Sequence, residues 1–398
     1  MITSKHWKTL FISNIIFGSP PKVIKIDKGR ILEIEYKTKD VCKDELHVMN
    51  IAWYDNGYIR WEKYSVNGEL HSPLDKGPAY VSWHSNGKKS YIKYCLKGKL
   101  YNPTDVSEKR EKPALISWHY NGQKHIEKYC INSEEHNPRG EPSYTEWYEN
   151  GNKQLETYCI DGMLNNPSNE IPAYASWYEN GNKKCENYYV NGCRNNPISY
   201  KKKVHKAAVI EWHENGKMKY KAYYVNGSMK NPNSNKFILN EKRNCIPAAA
   251  AWYENGNKQS ESYIFNDKTT QHKYITWHSN GNKQYEEYFI GNLYHNPSDE
   301  IPARRFWYEN GTKGQEMYFI KGKRNNVKVV SSSEKEEINK EEIKPAHTEW
   351  YSNGNKKHVL YCVNDKVHRP INEGPACLYW EENGNKRYEE YHLNGKKM

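Results

Sequence analysis

Only 36% of the 398 residues are apolar, yet 34 are Tyr and 13 are Trp, which excludes a deep aliphatic core and implies a thin, aromatic-rich layer. The formal charge of +12 comes from 60 basic residues intermixed with 48 acidic ones, which indicates first a solvated surface and only second a match for nucleic acid or an acidic membrane. Nine cysteines, an odd count without a Cys-x-x-Cys pair, argue against a disulfide framework.

Residues 1–47 form a capping segment unlike the rest. Leu10–Phe17 is apolar but too short to cross a bilayer, and no small-residue cleavage site follows it. Residues 1–17 are expected to form a short amphipathic helix. Val23–Tyr36 alternates around Lys28-Gly29 as a degenerate hairpin that ends the array with a polar edge.

From residue 48 onward one frame repeats eleven times: Trp, Asn-Gly three residues later, and Tyr eleven residues after the Trp. Trp83 with Tyr94, Trp118 with Tyr129, Trp147 with Tyr158 and Trp177 with Tyr188 are four of these pairs. Asn-Gly between alternating runs predicts a hairpin with a two-residue type I′ turn. For the unit at Trp177, a turn at Asn180-Gly181 would place Trp177 opposite Lys184, Ala175 opposite Glu186 and Ala173 opposite Tyr188. Ala79, Val81 and Trp83 share the expected core face, joined on the returning strand by Tyr94 and Leu96.

A second turn follows, as at Asp161-Gly162 and Asn191-Gly192. A short segment ending in Pro comes next, and another Pro opens eight units five residues before the Trp. The two prolines bracket a loop whose length sets the spacing of 25 to 43 residues between tryptophans. The longest insertions are Ser199–Lys206, Asn233–Cys245 and Val327–Lys344. The last, around Ser331-Ser-Ser-Glu-Lys-Glu-Glu, is expected to be a charged, flexible excursion at 327–344, separating repeats one to nine (48–326) from repeats ten and eleven (345–398).

Tyr-Glu-Asn-Gly-Asn-Lys-x-x-Glu-x-Tyr-x-x-Asn-Gly resembles the MORN-variant repeat, closest to the form found in large DNA viruses of amoebae, and the resemblance covers residues 48–398. It implies an all-β, elongated array of antiparallel hairpins, a β-solenoid or a single-layer twisted sheet. It also implies a non-enzymatic scaffold for protein partners: a viral structural or accessory protein, in host cytoplasm or virion.

Tyr or His follows ten of the tryptophans, and a Lys stands across the turn in nine units. His84 with Lys89, His119 with Lys124, Tyr148 with Lys153, Tyr178 with Lys183, Tyr253 with Lys258 and His278 with Lys283 form a candidate ladder on the face opposite the Trp. Its plainest role is local packing at the hairpin tip. The alternative role is a basic, aromatic stripe for nucleic acid or acidic lipid. Equivalent histidines such as His84 and His119 lie roughly 10–14 Å apart by strand spacing. Metal ligands must approach within about 4 Å of one another, so no metal site is expected at such positions. The same spacing keeps Cys95, Cys130, Cys159 and Cys362 apart as reduced thiols inside a cell. Glutamates nine after the Trp, Glu62 to Glu389 in eight units, are expected to partner Lys or Trp of an adjacent strand. No phosphate loop or nucleophile elbow occurs, so neither cofactor nor catalysis is expected.

Overall fold

The computed structural model describes residues 22–27, 30–40, 45–72, 77–105, 110–136, 140–197, 206–232, 246–266, 271–331 and 340–398. The helix expected at 1–17, most of the insertions after Ser199 and Asn233, and the centre of the charged insertion (332–339) lie outside them. Apart from a 3₁₀ turn at Ile371–Glu373, the described regular structure is β-strand. The chain is an all-β array of antiparallel hairpins, as its sequence implies. It divides into units 1–199 and 200–398.

In the first unit the strands of the main sheet pair in chain order as a meander, except that Glu69–Leu70 pairs only back onto Ile59–Val66. The order runs from Lys22–Asp27 and Arg30–Asp40 through Glu45–Trp53 and Ile59–Val66 to Tyr174–Trp177 and Lys183–Asn187. The second unit repeats the meander from Val209–Trp212 to Lys386–Glu390. Most strands of this main sheet have four or five residues, because the tyrosine eleven after the Trp ends the returning strand. Tyr158 shows how. Its N–H donates to the Ala173 carbonyl of the next unit (2.8 Å), and its carbonyl accepts from Asn165 N–H (2.9 Å). The N–H closes the ladder to the next repeat while the carbonyl is taken by the segment after the short hairpin, so the chain turns a corner there.

Beyond the corner a second row begins. Tyr189–Val190 pairs with Cys193–Arg194 across Asn191 (φ 48°) and Gly192 (φ 75°). Both residues are left-handed, the signature of a type I′ turn. Successive short hairpins are stitched by single bonds: Gly162 N–H to Glu135 O and Gly192 N–H to Leu164 O, each 2.9 Å. The core lies in the corners, where Ala114, Ala173, Cys130 and Tyr188 are all 0% exposed. Small residues face the rings, and Trp83, Trp118, Trp147 and Trp177 are only half-buried.

Four expectations change. The Asn180-Gly181 turn is a three-residue loop: Gly181 N–H donates to Tyr178 O (2.9 Å), Tyr178 N–H to Asn182 O (2.8 Å), and only Gly181 (φ 88°) is left-handed. It is a type I turn closed by a glycine bulge. Trp177 therefore pairs with Lys183 and not Lys184, while Ala175 opposite Glu186 holds. The ladder stops at Tyr174–Asn187, so it does not reach Ala173 and Tyr188. Leu96 is 45% exposed: the corner at Tyr94 breaks the alternation and puts Cys95 inside at 2%. Finally, the flanks of the charged insertion are an antiparallel pair, Val327–Ser331 with Lys340–Lys344. The register sets Val327 opposite Lys344 and Lys328 opposite Ile343.

Candidate functional site

The loop geometry decides where the predicted ladder residues go. Lys184 has no partner across the sheet and is a bulge, which rotates Lys183 onto the side of Glu186. The same bulge recurs at the tryptophans of the other units. As a result the lysines lie on the Trp side and not opposite it. Lys124 Nζ stands 5.2 Å over the Trp147 ring of the next unit and 2.6 Å from Glu127. Lys258 is 5.5 Å over Trp277 and 2.6 Å from Glu261, and Lys283 is 5.5 Å over Trp307. Lys153 covers Trp177 at 5.9 Å and pairs with Glu156; Lys183 pairs with Glu186. Tyr129 Oη and Tyr263 Oη complete these chains by donating to Glu127 (3.1 Å) and Glu261 (2.8 Å). Lys89 is exposed, and its unit has Ile92 where the glutamate would stand.

The aromatic half of the ladder goes elsewhere. Each ring bonds the Trp carbonyl of the following unit: His84 Nε2 to Trp118 O (3.0 Å), His119 to Trp147 O (2.7 Å) and His278 to Trp307 O (2.9 Å). Tyr148 Oη donates to Trp177 O (3.0 Å) and Tyr253 Oη to Trp277 O (2.8 Å). Tyr178 sits in the equivalent place, with Lys184 5.5 Å over its ring. The proposed stripe is thus two separate networks, each spent on joining neighbouring units.

Two further ladders were not legible from motif logic. The Asn of each tip loop points along the array: Asn150 Nδ2 donates to Glu179 O (2.9 Å) and Asn280 Nδ2 to Glu309 O (2.7 Å), while their Oδ1 atoms accept the N–H two residues on. The Asn before Pro in two repeats clamps the next corner. Asn166 Oδ1 accepts from both Ala173 N–H (2.8 Å) and Tyr189 N–H (2.9 Å), and Asn296 Oδ1 does the same for Ala303 and Phe319. The repeated Asn-Pro was the available signal, masked by the ordinary turn preference of Asn.

Electrostatics follow from which carboxylates have cations. Glu286 is held down at about 2 despite burial, by Lys273, Lys283 and Arg305. Glu62, whose unit has Ile59 in the lysine position, is pushed up to about 7 by burial. Burial raises the thiols of Cys130 and Cys362 to about 11, so they act as small apolar side chains. A depression of about 80 Å³ near His272, Tyr288, Phe289 and His295 is too small to enclose a cofactor.

The second row carries an exposed aliphatic residue at the same place in most units. In the first unit of the chain these are Leu96, Ile131, Ile160 and Val190, 44–47% exposed; in the second they include Val225, Ile320, Val363 and Leu393, 38–43% exposed. Among the described residues no helix is long and apolar enough to cross a membrane.

No family model matches the chain, and no curated protein matches it. The solved structures that match include TcdB2–TccC3, TcdB2–TccC3–Cdc42 and TcdB2–TccC3–TEV, at 8%, 8% and 9% identity. They cover 95%, 85% and 86% of this chain, which spans only 23%, 20% and 20% of theirs, with TM-scores of 0.13, 0.12 and 0.12. Likeness at that level carries no argument.

Proposed function

We propose that the chain is a non-enzymatic repeat scaffold that binds a protein partner through the exposed aliphatic row of its short hairpins. The observation behind this is the recurrence of Leu96, Ile131, Ile160 and Val190, apolar and 44–47% exposed, at one position of four successive units. Nothing in the hairpin fold requires an aliphatic residue there, because the inward neighbours Cys95, Cys130 and Cys159 already fill the corner. A patch of this kind on an otherwise polar surface favours a partner with apolar side chains. Across their hairpins these residues face Lys99, Glu134, Met163 and Cys193, a mixed set that gives a polyanion no continuous positive track. The lysines expected to bind acidic lipid or nucleic acid are mostly paired with glutamates, which weakens that alternative. A reducing, intracellular setting fits the free buried thiols, and a viral accessory or structural role belongs to the same proposal.

The test is capture of a partner from source cells by the intact chain and by an Ile131→Thr, Ile160→Thr, Val190→Thr variant. A stoichiometric protein lost by the variant at unchanged thermal midpoint supports the scaffold. Unchanged capture, or binding to nucleic acid or vesicles that collapses steeply with salt, overturns it.

A further inference from the structure

Strand spacing bars a metal from residues that share one frame position, but not from unlike positions that meet across strands. In the last repeat three do so. Cys377 opens the outgoing strand, Glu390 closes the returning strand as its direct cross-strand partner, and His392 begins the short hairpin beyond the corner. One ligand atom of each lies within 4.8 Å of the other two. The set is sheltered: Cys377 is 3% exposed, and the side chains of His392 and Glu390 are 14% and 24% exposed. His392 Nε2 is 3.0 Å from Glu390 Oε2, while its Nδ1 is buried without a hydrogen-bond partner. Elsewhere the three positions are filled by residues that could not act together, such as Ala249, Ser262 and Ile264 or Arg304, Met317 and Phe319.

We propose that Cys377, Glu390 and His392 bind a divalent cation of borderline softness, Zn²⁺, with a fourth position open to water. A thiolate with an imidazole selects against Mg²⁺ and Ca²⁺, which prefer all-oxygen shells. Zinc–donor distances of about 2.0–2.3 Å bring donors to within roughly 4 Å of each other, so small side-chain rotations close the site. Lys397 Nζ now holds Glu390 at 2.7 Å; its side chain is 64% exposed and free to swing away. On loading, Cys377 gives up its thiol proton to solvent, His392 binds as neutral imidazole, and Glu390 exchanges an ammonium for the ion. The ion would then tie both strands of the last hairpin to its second-row partner.

The full chain, stripped with a chelator, is titrated with Zn²⁺ against a chromophoric chelator and separately with Co²⁺. One ion per chain, a thiolate-to-cobalt absorption band and a raised thermal midpoint are expected. Cys377→Ala abolishes the band, and His392→Phe weakens binding by at least about tenfold. Both variants should fold, because Ala249 and Phe319 occupy the equivalent positions in other repeats. Cys193→Ser, at the exposed thiol, leaves binding unchanged. Absence of binding by the folded chain, a band that survives Cys377→Ala, or a band lost with Cys193→Ser overturns the site.

Discussion

Between the repeats at Trp147 and Trp177 the chain turns a corner, whereas between those at Trp252 and Trp277 it runs straight. In the first stretch the strand Lys153–Thr157 ends, Tyr158 bonds forward to Ala173, and a short hairpin follows. In the second, Lys258–Asn266 continues directly into a ladder with Gln271–Trp277, pairing Tyr263 with Lys273 and Ile264 with His272. The tip loops are alike, with the same Asn-Gly and the same bulge at the tryptophan. What differs is the dipeptide five and four residues before the Trp: Pro172-Ala173 in one, His272-Lys273 in the other. Pro cannot extend the ladder, and Ala leaves room for a ring; His and Lys extend it and fill that room. Lys273 Nζ reaches Glu286 at 2.8 Å and lies 5.1 Å from the Tyr288 ring. The hairpin is thus a property of the tip loop, and the corner a property of Pro-Ala with its asparagine clamp.

The largest way to break this contrast is Tyr188→Ala. Emptying a fully buried ring from a corner should cost about 3–5 kcal/mol in denaturant unfolding. A loss below about 1 kcal/mol would mean the corner does not rest on the ring. In the straight stretch Glu286→Gln should cost about 3 kcal/mol, because Lys273, Lys283 and Arg305 lose their shared counter-charge. The sign in pH is definite. A carboxyl held near 2 against an ordinary 4.5 contributes stability that is present above 4.5 and lost as pH falls toward 2, so the variant should show a flatter acid limb. Asn166→Ala strands the N–H groups of Ala173 and Tyr189 and should cost about 2 kcal/mol, read as earlier amide exchange at those two residues. Gly181→Val, at φ 88°, should cost about 1–2 kcal/mol by thermal midpoint.

The smallest change sharpens the comparison. Ile59→Lys supplies the cation that Glu62 lacks but removes a side chain packed against the Ile34, Met49, Ile51 and Tyr64 cluster, so the two effects oppose each other at neutral pH and the gain is read in the pH dependence. Glu62, raised to about 7, favours folding below its unfolded value of 4.5 and loses that contribution as pH rises through 7. With the new ammonium beside it that decline should vanish, and carbon-detected titration of the carboxyl should move down. An unchanged titration would refute the pairing.

The array itself was legible because a period of one supersecondary unit cannot be mistaken. Strand direction, the returning pair Ala175–Glu186 and the second turn at Asn191-Gly192 all follow from alternation. The tip loop was not legible, since Asn-Gly favours a type I′ turn and nothing local shows that Asn180 is wanted for its amide. Leu96 was misplaced for a related reason: counting by twos assumes a straight strand, and the corner at Tyr94 resets the count. The ladder lysines were placed on the wrong face by the same arithmetic, because a bulge inverts alternation over one residue. Contacts between units, such as Asn166 to Tyr189, depend on loops whose path one sequence does not encode.

The tip asparagines also determine how the molecule ages. An asparagine followed by glycine cyclises when the glycine nitrogen attacks the side-chain carbonyl, losing ammonia and leaving aspartate or isoaspartate. Here the Gly181 nitrogen is tied to the Tyr178 carbonyl and the Asn180 Oδ1 to the Asn182 N–H, so attacker and target are both restrained. Damage should therefore accumulate mainly when a loop opens. Because Asn150 also donates its amide to the Glu179 carbonyl of the next repeat, each such event would remove one stitch and add one negative charge. Peptide mapping of stored protein should find these sites converting far more slowly than in the urea-unfolded chain, with the loops that open most often converting first.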